Sequence, residues 1–219
     1  MSPSKHSRRR SRKRETGNNK KLIVIAVALI AVIAVIIVGF SMLGNNGSNL
    51  ADENLPASNT VMLETNMGDI VIQLRDDMPI TTNNFKKLVV DGVYDNTIFH
   101  RVVNLPSNLM IIQGGDPTGT GYGDSSIPNI QDEFSDNLEN NKNVRGTIAM
   151  AKTEEANSGN SQFFFNIEYN AHLDNKHPVF GEVIQGMDVV DAISNVATTG
   201  NPSYTPLDDV ILIRATLVD

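Results

Sequence analysis

Hydrophobic and polar positions divide this chain into three stretches of different character. Residues 22–43 (LIVIAVALIAVIAVIIVGFSML) carry no charge, and all but Gly39 and Ser41 are apolar. At about 1.5 Å per residue such a run makes a helix of roughly 33 Å, enough to cross a hydrocarbon core of about 30 Å. The next stretch, 44–60 (GNNGSNLADENLPASNT), has no apolar period and reads as a flexible tether. From residue 61 onward short apolar alternations return, and they predict a folded body. Residues 61–65 and 68–74 read as strands joined by a turn at Asn66-Met67-Gly68. Residues 79–90 (PITTNNFKKLVV) read as a helix that starts near Pro79 and stops at Asp91-Gly92, with Phe85, Leu88 and Val89 facing inward. Strands are expected over 97–103, 109–113, 147–151, 162–166, 178–183 and 210–217, and a second helix over 186–193. Many short strands with two helices predict a mainly β domain, a barrel capped by helices.

Charge sharpens these divisions. Residues 1–21 hold nine of the 18 Lys and Arg and a single acid, Glu15. Residues 44–219 hold the other nine bases against 24 acids, so the net charge of −7 averages a basic tail and an acidic body. The basic run before the apolar one places residues 1–21 in the cytoplasm, with lipid contact, and the body outside the membrane. The apolar run exceeds the roughly 7–15 residues of a cleaved signal peptide, and no A-x-A site follows it. An uncleaved single-pass signal anchor is therefore expected, with membrane lipid as the partner of residues 22–43. An acidic body is a poor partner for nucleic acid. No Cys is present, which excludes disulfides, thiolate metal sites, cysteine nucleophiles and a lipidated Cys anchor. Asn46-Gly47-Ser48 is one glycosylation sequon, a weak signal.

Five motifs carry the chemistry: Phe99-His100-Arg101, Gln113-Gly114-Gly115-Asp116, Met150-Ala151-Lys152, Ser161-Gln162-Phe163-Phe164-Phe165, and the run from Leu173 to Gly181 (LDNKHPVFG). In this order and spacing the body resembles the cyclophilins, the peptidyl-prolyl cis–trans isomerases, from about residue 61 to residue 219. The resemblance implies an eight-stranded antiparallel barrel closed by two helices, with a groove on its outer face. It also implies proline-containing polypeptides as partners, assistance to the folding of exported or surface proteins, and a monomer that needs no cofactor and no metal.

Rotation about an X–Pro bond must cross about 18–20 kcal/mol because the C–N bond is partly double. A catalyst needs an apolar pocket for the ring and a donor to the nitrogen lone pair that returns in the twisted state. By resemblance Arg101 is that donor, Gln113 orients it and the substrate carbonyl, and His177 forms the rim. Met110, Ile111, Phe164 and Leu173 line the pocket. Ala151 and Lys152 offer backbone groups to the residue before the proline, while Gln162 and Gly121 border a neighbouring cleft. His172 stands where many members carry Trp. The chain departs from the pattern by about four extra residues within 104–108, and by Met110 and Ile111 where Phe and Met are usual. Read from the residues alone, Phe163, Phe164 and Phe165 alternate between core and groove. His100 turns away from Arg101 and is structural. His172 and His177 lack the further ligands of a metal site. Gly114, Gly115, Gly119, Gly121 and Gly123 fit tight turns better than a phosphate loop, since no Lys-Ser/Thr and no helix follow. The alternative function is a membrane-tethered proline-peptide binding module with little turnover.

Overall fold

The computed structural model describes residues 55–106 and 108–219. The basic tail, the expected membrane-spanning run 22–43 and most of the tether lie outside the described residues. Among the described residues no helix is long and apolar enough to cross a membrane.

Among the described residues nine strands and two α-helices follow in order: β1 (Thr60–Thr65), β2 (Gly68–Leu74), α1 (Pro79–Val90), β3 (Thr97–Ile98), β4 (Arg101–Leu105), β5 (Leu109–Gly114), β6 (Thr147–Met150), β7 (Phe163–Asn166), β8 (Val179–Gln185), α2 (Met187–Ser194) and β9 (Ile211–Val218). They form one sheet in the order β3-β9-β1-β2-β8-β6-β7-β5-β4, and every ladder in it is antiparallel. Among the described residues no ladder joins the end strands β3 and β4, so the sheet is a half-barrel and not the closed eight-stranded barrel expected. The ninth strand arises because the expected strand 97–103 breaks in two. Phe99 and His100 are both buried, 1% and 7% exposed. Phe99 joins the main core while His100 lies against the glycine-rich loop at Gly121. The Phe99 N–H still bonds the Val210 carbonyl at 2.9 Å beside the interruption.

α1 begins and ends where its local signals placed it, and Phe85, Leu88 and Val89 are buried as its 3.6-residue period requires. Its first amides are capped from outside the helix: Ile80 and Thr81 N–H donate to the Glu133 carboxylate at 3.1 and 2.9 Å. The mostly aliphatic core inside the half-barrel holds a cluster of aromatic rings. Phe163 stands edge-on to Phe85, Tyr94, Phe99 and Phe165, with centroids 5.5 to 6.2 Å away. A second, smaller apolar cluster lies apart from it and contains Val103, Ile111, Ala149, Phe164 and Val179. Adjacent Phe163 and Phe164 therefore serve different clusters, as alternation along β7 dictates. Between α2 and the preceding strand Gly186 has φ +83°, and a Cβ there would sit 2.1 Å from the Asp69 carbonyl oxygen, so only glycine fits.

Candidate active site

The site grows from one row of cross-strand partners. Arg101 on β4 faces Gln113 on β5, Gln113 faces Phe164 on β7, and Phe164 faces Ala149 on β6. Residues on one face of neighbouring strands approach within about 5 Å, so four separate stretches of sequence deliver one row of side chains. A chain of hydrogen bonds fixes its polar end. Arg101 Nη1 donates to Gln113 Oε1 (3.3 Å), Gln113 Nε2 to Gln162 Oε1 (3.0 Å), and Gln162 Nε2 to the Gly121 carbonyl (3.3 Å). Each amide accepts with its oxygen and donates with its nitrogen, which sets the direction of both side chains. Arg101 is half-buried. Burial lowers its guanidinium from the ordinary value and Tyr204 nearby opposes that shift, yet an arginine remains charged throughout the physiological range. Among the described residues no carboxylate pairs with it. Its remaining donors are thus available to a substrate.

Phe164, Ile111 and Val103 form the apolar floor, and Leu173, Leu109 and Ala151 pack on it, partly exposed. His177 closes one side. Its Nδ1 lies 3.1 Å from the Met150 carbonyl and its ring stands edge-on to Phe164 at 5.4 Å. A carbonyl only accepts, so Nδ1 carries the proton and the neutral ring has Nε2 as a free acceptor. Burial holds this imidazole below its ordinary value of 6.5, partly offset by the Met150 bond.

Met110 is a correction. It was expected in the pocket, but its side chain packs against the core inside the half-barrel, while Leu109 and Ile111 join the outer cluster. The period of two along β5 decides this, because Met110 falls between the two groove positions. Its backbone is clamped from the side, its N–H donating to Asn170 Oδ1 and its carbonyl accepting from Asn170 Nδ2, each at 3.1 Å. Alternation back from Ile111 would have identified Leu109.

Ala151 N–H donates to the Gln162 carbonyl at 2.9 Å. Lys152 does more than supply backbone. Its side chain is 8% exposed and its Nζ pairs with Asp132 at 3.3 Å, which fastens the 128–133 loop to the site. No local signal reveals that partner. A cleft of about 490 Å³ lies beside the row, lined by Gln113, Gly121, Lys152 and Gln162 among others. Another of about 540 Å³ is lined by Lys152, His172, Leu173 and His177 with Asp132 and Phe134. His172 is exposed on the short 3₁₀ turn Ala171–Leu173.

The glycine-rich loop is explained by Asp116, which is fully buried. Its carboxylate accepts from the N–H groups of Thr118 (2.9 Å), Gly121 (2.7 Å) and Gly123 (3.1 Å). Burial alone would raise this carboxyl, but those bonds together hold it below its ordinary value. The concavity of backbone amides that might have cradled a phosphate is already filled by the protein's own carboxylate. His100 lies against this loop, its Cδ2 3.2 Å from where a Cβ on Gly121 would stand, and burial keeps its ring below the ordinary value.

Residues 60–217 match the cyclophilin type peptidyl-prolyl cis-trans isomerase/CLD family. Peptidyl-prolyl cis-trans isomerase B of Escherichia coli is 41% identical over 168 residues, which cover 72% of this chain and 98% of that protein. Peptidyl-prolyl cis-trans isomerase-like 2 of Gibberella zeae is 37% identical over 175 residues, 78% of this chain but only 29% of that longer protein. The crystal structure of a cyclophilin type peptidyl-prolyl cis-trans isomerase of Cryptosporidium parvum superposes with a TM-score of 0.64 at 30% identity, covering 74% of this chain and 98% of that one. The same Cryptosporidium protein has been solved in the presence of the dipeptide Ala-Pro. The half-barrel with its row of Arg101, Gln113 and Phe164 is thus a peptidyl-prolyl isomerase domain. This chain belongs to the cyclophilin family and is an isomerase of X–Pro bonds.

Proposed function

We propose that Arg101 is the group that lowers the barrier, in an isomerase anchored to a membrane and acting outside the cytoplasm. The observation that carries the catalytic part is the geometry of Arg101: a charged fork held by Gln113 at the edge of an apolar floor, with no carboxylate paired to it among the described residues. As the amide twists, its nitrogen becomes pyramidal and gains basicity. A donor that meets it then, and not in the planar ground state, stabilises the transition state selectively. Phe164 and Ile111 receive the ring, Leu173 packs beside them, and the backbone at Ala151 and Lys152 holds the residue before the proline in extended form. His177 Nε2 accepts a hydrogen bond from the substrate backbone. No bond is made or broken, so the residues only grip, orient and donate. An exchange assay by NMR on an X-Pro peptide tests the reading; tight binding without acceleration would instead establish a binding module.

The role of His177 predicts a pH profile. kcat/KM stays flat from pH 8 to below 6.5 and falls only at lower pH, because burial delays protonation that would turn the Nε2 acceptor into a donor. His177→Gln should lower the plateau and remove that acidic limb. A limb centred at or above pH 6.5 in the unmodified protein would contradict the assignment.

For location, the support is the uncharged run 22–43 behind a basic tail. It suggests clients among exported or surface polypeptides. Protease added to intact cells should shave off the acidic body and leave residues 1–21 protected. Digestion of the body only after lysis would reverse the orientation, and recovery of the intact chain free of membranes would remove the anchor.

A further inference from the structure

The apolar floor does not end at the proline pocket. The β4–β5 ladder continues past Val103↔Ile111, through Asn104↔Met110, to Leu105↔Leu109. By the two-residue period Leu105 and Leu109 stand on the groove face, and both pack on the outer cluster while remaining partly exposed. Leu105 falls within the stretch by which this chain exceeds the usual spacing of its motifs. Tyr204 packs on the same cluster from a loop far along the chain, and it too is partly exposed.

Tyr204 is held in an uncommon backbone conformation. Its φ is +52°, a region that bulky side chains rarely occupy. Three backbone bonds of 2.9 Å impose it: Tyr204 N–H to the Gly200 carbonyl, Thr199 N–H to the Thr205 carbonyl, and Val102 N–H to the Tyr204 carbonyl. The last ties the loop to β4 one residue beyond Arg101. A strained residue that its surroundings over-determine, next to a working site, is the kind of outlier from which function is inferred.

We propose that Leu105, Leu109 and Tyr204 form a specificity subsite for a large apolar or aromatic side chain on the residue that follows the proline. The inference rests on the isomerase reading of the groove. The sheet order β6-β7-β5-β4 sets the direction. Ala151, which follows β6, holds the residue before the proline, and Phe164 on β7 with Ile111 on β5 holds the ring. A peptide continuing the same way arrives over β4 at Val103, the partner of Ile111, with Leu105 two residues along the strand and Tyr204 tied to Val102 beside it. A chain leaving a proline, whose ring holds φ near −65°, advances about 3.1 Å per residue and does not follow the strict alternation of a strand, so the next side chain reaches this shelf beside the ring. Its apolar surface is continuous with the pocket, which selects an apolar occupant.

The test measures kcat/KM by NMR exchange, and Kd by calorimetry, for Ala-Ala-Pro-X-Ala peptides with X as Phe, Gly or Glu on the full chain. The Phe peptide should exceed the Gly peptide about tenfold in kcat/KM and have a Kd about tenfold lower, as burial of some tens of Å² implies. In Tyr204→Ala and in Leu105→Ser the Phe-to-Gly ratio should fall to about two or three. A wild-type ratio below two, a preference for Glu, or an unchanged ratio in both variants with native melting curves would overturn the subsite. Should a variant fail to fold, the wild-type ratios decide alone. Absence of turnover on every peptide would strike the isomerase reading, and the Kd ratios would still decide the subsite.

Discussion

Arg101→Ala should lower kcat/KM by about 10²–10³-fold while leaving the fold intact, the scale set by removal of one preorganised donor. The fold should survive because Arg101 makes one side-chain hydrogen bond, to Gln113 at 3.3 Å, and no ion pair among the described residues. Stability should change by less than about 1 kcal/mol, as for substitutions that leave no buried partner stranded. Peptide Kd should change far less than kcat/KM, since the donor is used in the twisted amide and not in the planar one. Arg101→Lys should recover only part of the rate, because a compact ammonium cannot both rest on Gln113 and reach the prolyl nitrogen as a planar fork does. Near-normal kcat/KM in a folded Arg101→Ala protein would remove Arg101 from the mechanism.

The second large effect separates two adjacent phenylalanines. Phe163 is fully buried and edge-on to four aromatic rings of the main core. Phe163→Ala should cost about 3–5 kcal/mol of unfolding free energy, a large part of the roughly 5–15 kcal/mol typical of a domain. Phe164→Ala should cost less, because its cluster is smaller and borders the groove, where solvent can enter the space vacated. Its larger effect should be on turnover. A proline ring that loses some 50–60 Å² of apolar contact loses about 1.4 kcal/mol, or tenfold in kcat/KM. Denaturant titration and the exchange assay, run on both variants below their melting temperatures, check the pair. Equal losses of stability with equal turnover would contradict the separation of the two clusters along β7.

These two residues also show what could be read in the chain and what could not. Alternation told that neighbours in Ser161–Phe165 face opposite ways, but only the motif resemblance chose Phe164 for the groove, and the packing agrees. α1 was legible because its signals are local: Pro79 at the start, Asp91-Gly92 at the end, and Phe85, Leu88 and Val89 on one stripe. Met110 was misplaced because it was assigned by counting along a motif, without the strand's period, which points its side chain into the half-barrel. The break at Phe99-His100 leaves Phe99 in the core and His100 against the Gly121 loop, a partner far along the chain that no window of sequence reports.

Local pattern by itself determined where most of the strands and both helices of the described residues lie, which segment is uncharged and almost wholly apolar, and which side-chain chemistry is on offer. Those properties depend on residues a few positions apart, so short-range sterics and periodicity settle them. Tertiary structure alone decided the partnerships: Gln113 with Gln162, 49 positions away, Lys152 with Asp132, Asp116 with the amides of its own loop, and Tyr204 against the floor of the groove. Such contacts form only once the sheet has curved and brought its strands into register. Their existence depends on distances of a few ångströms that the chain, read as a string, does not contain.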